Sequence, residues 1–349
     1  LLGVAETCGI PLEEATDARC RVRSPMAYTV FRLNHVHPDP SDGSEMSDRY
    51  RAALDMIEFL DQRGLNAVQF DEHHVSSTGW SPTPMMSAGM VLARTENVLC
   101  MIGALLLPLH DPIRVAEDLA VLDLVGKGRI VVTMGLGYRP LEYTAMDKEW
   151  GRRGKIMDES LDVLMKAWTG EPFEHHGEMV QVLPKPFTAP HPQIMIGGSA
   201  KASARRAARL GLPLYMNGNP PGIKELYEEL CAENGTVPFC IAPEEAPQLF
   251  ITEDPDRAWA ELGEHFMLEA RTYADWQPEG QNSPVHSHAM TVDDLREEGI
   301  YRFLTPDQAR EFVAAAGSCT LHPLVGGMPI DEAWRSVELF ADAVLSGDA

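Results

Sequence analysis

The sequence of 349 residues contains no run approaching the ~20 consecutive apolar residues that a membrane-spanning helix requires. Its longest apolar stretches, such as 102–108, have the length of a buried strand. Basic residues are scarce. Lys and Arg number 29 against 52 Asp and Glu, a formal net charge of −23. Nucleic acids and anionic membrane surfaces both demand a basic face, so neither is an expected partner. The acidic surface serves solubility. Cysteines are few and scattered, at Cys8, Cys20, Cys100, Cys231, Cys240 and Cys319, with no C-x-x-C pair. That spacing predicts reduced thiols in a cytoplasmic protein rather than a disulfide framework. No H-E-x-x-H occurs. Residues 1–25 lack a basic segment followed by an apolar one, so no secretory signal is expected there. They read as a poorly ordered extension ahead of one domain over 26–346.

What is present is a 44% hydrophobic chain in which apolar strands alternate with amphipathic helices. Strands are predicted at 28–33, 67–70, 99–107, 129–134, 193–196, 213–216, 248–252 and 319–324. After the first, Ala53, Met56, Ile57 and Leu60 share one helical face, stopped by Gly64. A second helix is expected from about 82 to 94. Asp111-Pro112 reads as an N-cap followed by proline at the first helical position, with Val115, Leu119 and Leu122 on one side. Met157, Leu161, Leu164, Met165 and Trp168 form a stripe that belongs in a core rather than on a cofactor. Further helices are expected at 200–210, 221–232, from Asp254-Pro255 onward, at 306–316 and at 330–345. Residues 135–154 read as a long loop, 170–192 as an inserted hairpin and 275–300 as a second, polar insertion. Eight strands alternating with helices, without a break that would reverse strand order, predict a (β/α)8 TIM barrel with insertions. Active-site residues should then follow strand C-termini.

That rule selects the candidates. Glu72-His73-His74 ends the second strand, where His73 could act as acid or base, or be satisfied by barrel neighbours. A near copy, Glu174-His175-His176, falls in the first insertion and reads as a solvated turn. Gly103 and Ala104 lie within the third strand, where glycine marks a bulge, the close approach of a flat ligand, or tight packing. Gly135-Leu136-Gly137 follows the fourth strand and lets backbone approach a ligand, without a full G-x-G-x-x-G. Gly197-Gly198-Ser199 precedes a helix, a seat for phosphate or an ordinary serine cap. Asn34 and His35, after the first strand, are candidate substrate contacts. His35-Val36-His37 also spells an H-x-H that could hold a metal, the basis of a barrel metallohydrolase reading. That reading lacks a lysine in the fourth strand and an aspartate in the eighth.

Several blocks, in order, resemble the luciferase-like monooxygenase family, in particular its bacterial luciferase α-type members and related flavin- or deazaflavin-dependent oxidoreductases. They are Gly64 to His74, Gly103 to Pro108, His110 to Asp118, Leu122-Asp123 through Gly128-Arg129, and Gly135 to Arg139. Met157-Asp158-Glu159, Trp168-Thr169-Gly170, Pro323 to Pro329 and Ala333-Trp334 complete the set, which covers roughly 26–346. The resemblance implies a flavin at the C-terminal mouth of the barrel. His73 matches the catalytic histidine and Glu72 its neighbouring carboxylate. Gly103-Ala104 matches a non-prolyl cis peptide behind the flavin ring, and Gly197, Gly198 and Ser199 match the phosphate end. Luciferase itself carries an arginine after the fourth strand where Leu136 stands here, with Arg139 further on. The implied activity is oxidation of a small organic substrate with O2 and reduced FMN supplied by a flavin reductase. The alternative is deazaflavin-dependent hydride transfer on the same fold. A homodimer through the helices after strands two and three is also implied.

Overall fold

Val, Ile, Phe and Leu dominate the strands because a parallel sheet is covered on both faces and has no wet side to accommodate polar residues. Tyr28–Leu33 (β1) buries its last five positions, and all five residues of Ile130–Met134 (β4) are buried. The computed structural model describes residues 27–242, 247–277 and 286–346. The expected extension over 1–25 and the stretch 278–285 of the second insertion lie outside the described residues.

The remaining strands are Ala67–Phe70 (β2), Leu99–Leu105 (β3), Phe173–His175 (β5), Glu178–Val180 (β6), Gln193–Gly197 (β7), Leu214–Tyr215 (β8), Cys240–Ile241 (β9), Gln248–Ile251 (β10), Tyr301–Leu304 (β11) and Ser318–Leu321 (β12). Ten of them form one sheet in the order β11-β10-β12-β1-β2-β3-β4-β7-β8-β9. Its pairings are parallel. First and last strands are neighbours, with Tyr28 opposite Ser318 and Phe31 opposite Leu321. This pairing brings the chain around into the expected TIM barrel. β5 and β6 form a separate antiparallel hairpin, the predicted insertion, turned by His176 and Gly177 at φ 52° and 85°.

The sheet holds two strands more than the eight expected. β9 has only two residues, too few to show a period. β11 follows directly on the charged helix Val292–Glu298, which hides its alternation of buried Tyr301 and Phe303. β3 stops at Leu105 because Leu107–Leu109, containing Pro108, turns as a 3-10 helix. The long loop after β4 contains a short helix, Pro140–Ala145, and that helix matters for the site.

Helix starts follow their sequence signals. The Asp111 and Asp254 side chains accept from the backbone N–H groups of Arg114 and Arg257, and Pro112 and Pro255 follow them. Met157, Leu161, Leu164 and Trp168 are buried, and the Trp168 indole N–H donates to the Ala116 carbonyl at 3.1 Å. The helices Pro84–Arg94 and Pro112–Gly126 lie close together. A Cβ on Gly89 would meet Leu122 at 3.1 Å, and one on Gly126 would meet Leu92 at 2.9 Å.

Candidate active site at the barrel mouth

A cavity of ≈ 420 Å³ opens where β2, β3, β4 and β7 end. The structure brings Glu72, His73, Gly103, Ala104, Gly135, Leu136, Gly137, Gly197, Gly198 and Ser199 together in its lining. Asn34 and His35 are not part of it.

β2 ends at Phe70, and the next four residues, Asp71 to His74, are all buried. Four aromatic rings pack on the His73 imidazole: Trp276 at 5.0 Å between centroids, Trp80 at 5.3 Å, Tyr138 at 5.8 Å and Tyr273 at 6.4 Å. His73 Nδ1 is buried and has no hydrogen-bond partner among the described residues. It faces Glu142 Oε1 at 3.6 Å. His73 itself lines the cavity. The sequence reading missed Glu142. Its signal was Pro140 at the first position of a helix with an acidic residue in the first turn.

Glu72 is engaged in a hydrogen-bonded triad. Its Oε1 accepts from His110 Nε2 at 2.6 Å and from His74 Nε2 at 2.9 Å, while Oε2 accepts from the Leu106 amide. Burial alone would push the carboxyl up. The hydrogen bonds from His110 and His74 outweigh it and hold the group down at about 2. These three side chains lie within 4.8 Å of one another. Their clustering is accounted for by two imidazoles donating to one oxygen.

The floor between β3 and β4 is backbone. The Gly103–Ala104 peptide is cis, and the β3–β4 ladder shifts register between Gly103 and Leu105. A Cβ on Gly103 would come no closer than 3.9 Å to another group, the Gln69 amide, so that face is open. A Cβ on Gly135 would lie 2.7 Å from Ala104 Cβ, which fixes glycine where the two strands converge.

The end of β7 forms a cradle. Gly198 adopts φ +125°, and a Cβ there would sit 2.5 Å from Ser203 Oγ. Ser203 is 3% exposed, lines the cavity and occupies the first turn of the helix Lys201–Leu210. Ser199 is not that helix's cap, a position taken by Ala200. The Ser199 hydroxyl bridges to the Asn217 backbone, donating to its carbonyl at 3.1 Å and accepting from its N–H at 3.0 Å. Ser203 is therefore the hydroxyl left for a ligand, and the sequence reading missed it.

Beside the cavity lies a buried charge network. Arg32 pairs with Asp71 at 2.9 Å and with Glu269 at 3.3 Å. Glu269 also accepts from Asn34 at 2.6 Å, His322 at 2.7 Å and Tyr301 at 3.1 Å. Burial would raise the Glu269 carboxyl, but the His322 and Arg32 charges outweigh it and hold it at about 2. Asn34 is thus committed to Glu269. His35 stacks on Tyr50 at 3.7 Å, and burial, with Arg49 nearby, pushes its imidazole down to about 3. His37 faces Glu45 through Nε2 and accepts the Asp39 N–H on Nδ1. The two histidines of the H-x-H have different partners and do not converge on a shared site, so the metallohydrolase reading has no ligand set there.

Fold and site together define an α/β-barrel enzyme with its pocket at the strand C-termini. A profile of the luciferase-like monooxygenase family matches residues 26–318, and the chain belongs to that family. An FMNH2-dependent dimethylsulfone monooxygenase from Pseudomonas putida is 29% identical over 68% of this chain and 71% of its own length. The aligned parts span 62% and 52% of the length of two further relatives from Sinorhizobium fredii, at 29% and 25% identity. Two solved structures share the fold. The monooxygenase RslO1 from Streptomyces bottropensis matches 91% of this chain and 98% of its own, with a TM-score of 0.71 at 24% identity. An F420-dependent secondary alcohol dehydrogenase matches 93% and 100%, with a TM-score of 0.60 at 15% identity. Among the described residues, no helix is long and apolar enough to cross a membrane.

Proposed function

We propose that the chain is the oxygenase component of a flavin-dependent monooxygenase, using reduced FMN from a separate reductase and O2 to oxidise a small organic substrate. The observation that carries this reading is the cavity's division into a flat backbone floor and a small-residue cradle. Gly103 and Ala104 offer a surface for a planar ring system. Gly198, Ser203 and the N-terminal turn of the helix Lys201–Leu210 offer hydroxyl and backbone donors to a phosphate. The residues present therefore fit FMN. The bound flavin would supply the activation of oxygen. His73, through Nε2, would hold or accept a proton at the cavity wall, and Trp80 and Trp276 exclude water around its ring. Glu72 fixes the loop that carries His73 by anchoring it to Leu106 and His110.

The rival cofactor is a deazaflavin, as named for one structural relative. FMN is favoured by the charge in the lining. Its one arginine, Arg32, is neutralised by Asp71 and Glu269, and the chain carries −23 overall, a poor match for an acidic cofactor tail. Parallel anaerobic titrations with reduced FMN and the deazaflavin coenzyme test the choice. Tight FMN binding supports the proposal, and binding of the deazaflavin alone replaces oxygen chemistry with hydride transfer.

The homodimer belongs to the same reading. Met86, Val121, Leu124 and Val125 are exposed apolar residues on the helices that follow β2 and β3. A second copy docked there would cover them. Sedimentation at micromolar concentration should give a dimer for the parent chain and a monomer for Val121→Glu/Leu124→Glu.

A further inference from the structure

We propose that Glu142 is the positioning residue of His73, holding its proton on Nδ1 so that Nε2 meets the cavity as the proton acceptor. This rests on the role given to His73 above. Glu142 is 1% exposed and stands on the short helix Pro140–Ala145, far from His73 in sequence. One oxygen, Oε1, serves three groups. It accepts the His74 backbone N–H at 2.9 Å and Arg139 Nη1 at 3.0 Å, and it faces His73 Nδ1 at 3.6 Å. The first two contacts fix the carboxylate against the His73 loop, and Arg139 Nη1 closes the ring by donating to the His74 carbonyl at 2.8 Å.

Nδ1 has no other partner among the described residues, so no second acceptor competes for its proton. A carboxylate on one imidazole nitrogen stabilises the tautomer protonated there and frees the other as the base. At 3.6 Å the pair is an electrostatic contact rather than a hydrogen bond. Proton-handling pairs are commonly long before reactants bind and tighten afterwards.

Arg139 sets the strength of the effect. Its guanidinium pairs with Glu142 and lies 3.8 Å over the Trp276 ring, and Trp276 in turn packs on His73. The other titratable groups near His73 do not replace Glu142. Glu72 and His74 bond to each other, and Asp71 is taken by Arg32. Tyr138 and Tyr273 approach with their rings, and burial raises the Tyr138 hydroxyl well above its usual range.

The test needs neither flavin nor substrate. Deuterium exchange at the His73 C2–H, followed by mass spectrometry against pH, reads the protonation midpoint of this one histidine in the full chain. Glu142→Gln keeps an acceptor for the His74 N–H and removes the charge. Removing that charge should lower the midpoint relative to the parent chain. Arg139→Gln leaves Glu142 unopposed and should raise it. A merely structural role would leave both midpoints unmoved or shift them the same way, and either result overturns the proposal. Should Glu142→Gln unfold, Arg139→Gln alone decides by the sign of its shift. Reduced FMN titration of the same variants separates this inference from the cofactor reading. Opposite midpoint shifts without FMN binding would sink the cofactor and keep the dyad.

Discussion

Gly198 carries the backbone directly over Ser203, so close that a Cβ would lie 2.5 Å from the serine hydroxyl oxygen. The same residue holds φ +125°, a conformation that residues with side chains rarely adopt. Gly198→Ala should therefore force the β7 loop off the cradle at a cost of about 1–3 kcal/mol. Reduced FMN should bind at least tenfold more weakly, read by anaerobic fluorescence titration. Unchanged affinity would remove the cradle from the cofactor site. Ser203→Ala should weaken FMN without disturbing the fold, since the Ser203 hydroxyl is the cradle's side-chain donor.

Glu72 ties acid stability to the site. Its folded carboxyl is held near 2 against an ordinary value of 4.5. A depressed carboxyl contributes stability that is fully present above the unfolded value and is lost as pH falls towards the folded one. The difference corresponds to about 3 kcal/mol. Glu72→Gln should lower the melting temperature at pH 7, and the gap from the parent chain should shrink between about pH 4.5 and pH 2. A gap that stays constant across that window would show that the hydrogen-bonded triad is not coupled to folding through charge.

Glu269 joins strands that the sequence separates widely. It binds Arg32 from β1, Asn34 just after it, Tyr301 from β11 and His322 after β12, and it sits on the helix that carries Tyr273 and Trp276 to the mouth. Removing it leaves the Arg32 guanidinium buried with one carboxylate where it had two. Glu269→Ala should cost about 3–5 kcal/mol, the range for breaking a buried pair, while Glu269→Gln should cost less, its one amide oxygen still accepting from Asn34 and its NH2 turning to donate to the Tyr301 hydroxyl. Urea denaturation of both variants measures the difference. Equal, small losses would mean that the network is not what fixes this helix.

The contrast between Gly103 and Asn34 shows what a sequence of this kind discloses. Strand ends in a parallel barrel are legible because the strands are apolar runs and the polar residues after them mark the mouth. That rule selects Glu72, His73 and the glycines at the ends of β4 and β7, all of which line the cavity. The same rule brought Asn34 to the mouth but could not reveal that Glu269, more than two hundred residues on, takes its amide. Glu142, Ser203, Tyr273 and Trp276 were missed for the converse reason. Each lies within a helix, and each gains its role only when the barrel folds that helix over the strand ends. β9 and β11 escaped because two residues carry no period and because a charged helix masks the alternation that follows it.

Leu136 offers a gain-of-function test. It lines the cavity after β4, at the place where the resemblance to luciferase implies an arginine, and here the cradle offers neutral donors alone. Backbone N–H groups and a hydroxyl hold a phosphate with little dependence on salt, whereas an added guanidinium contributes a charge-assisted pair that salt screens. Leu136→Arg should therefore tighten reduced FMN by about tenfold at low ionic strength, equivalent to about 1.4 kcal/mol, and the advantage should narrow as salt is raised. The parent chain's affinity should change little over the same series. If the variant binds FMN no better at any ionic strength, the phosphate lies away from Leu136, and the cofactor's orientation in the cavity must be reversed or the flavin assignment abandoned.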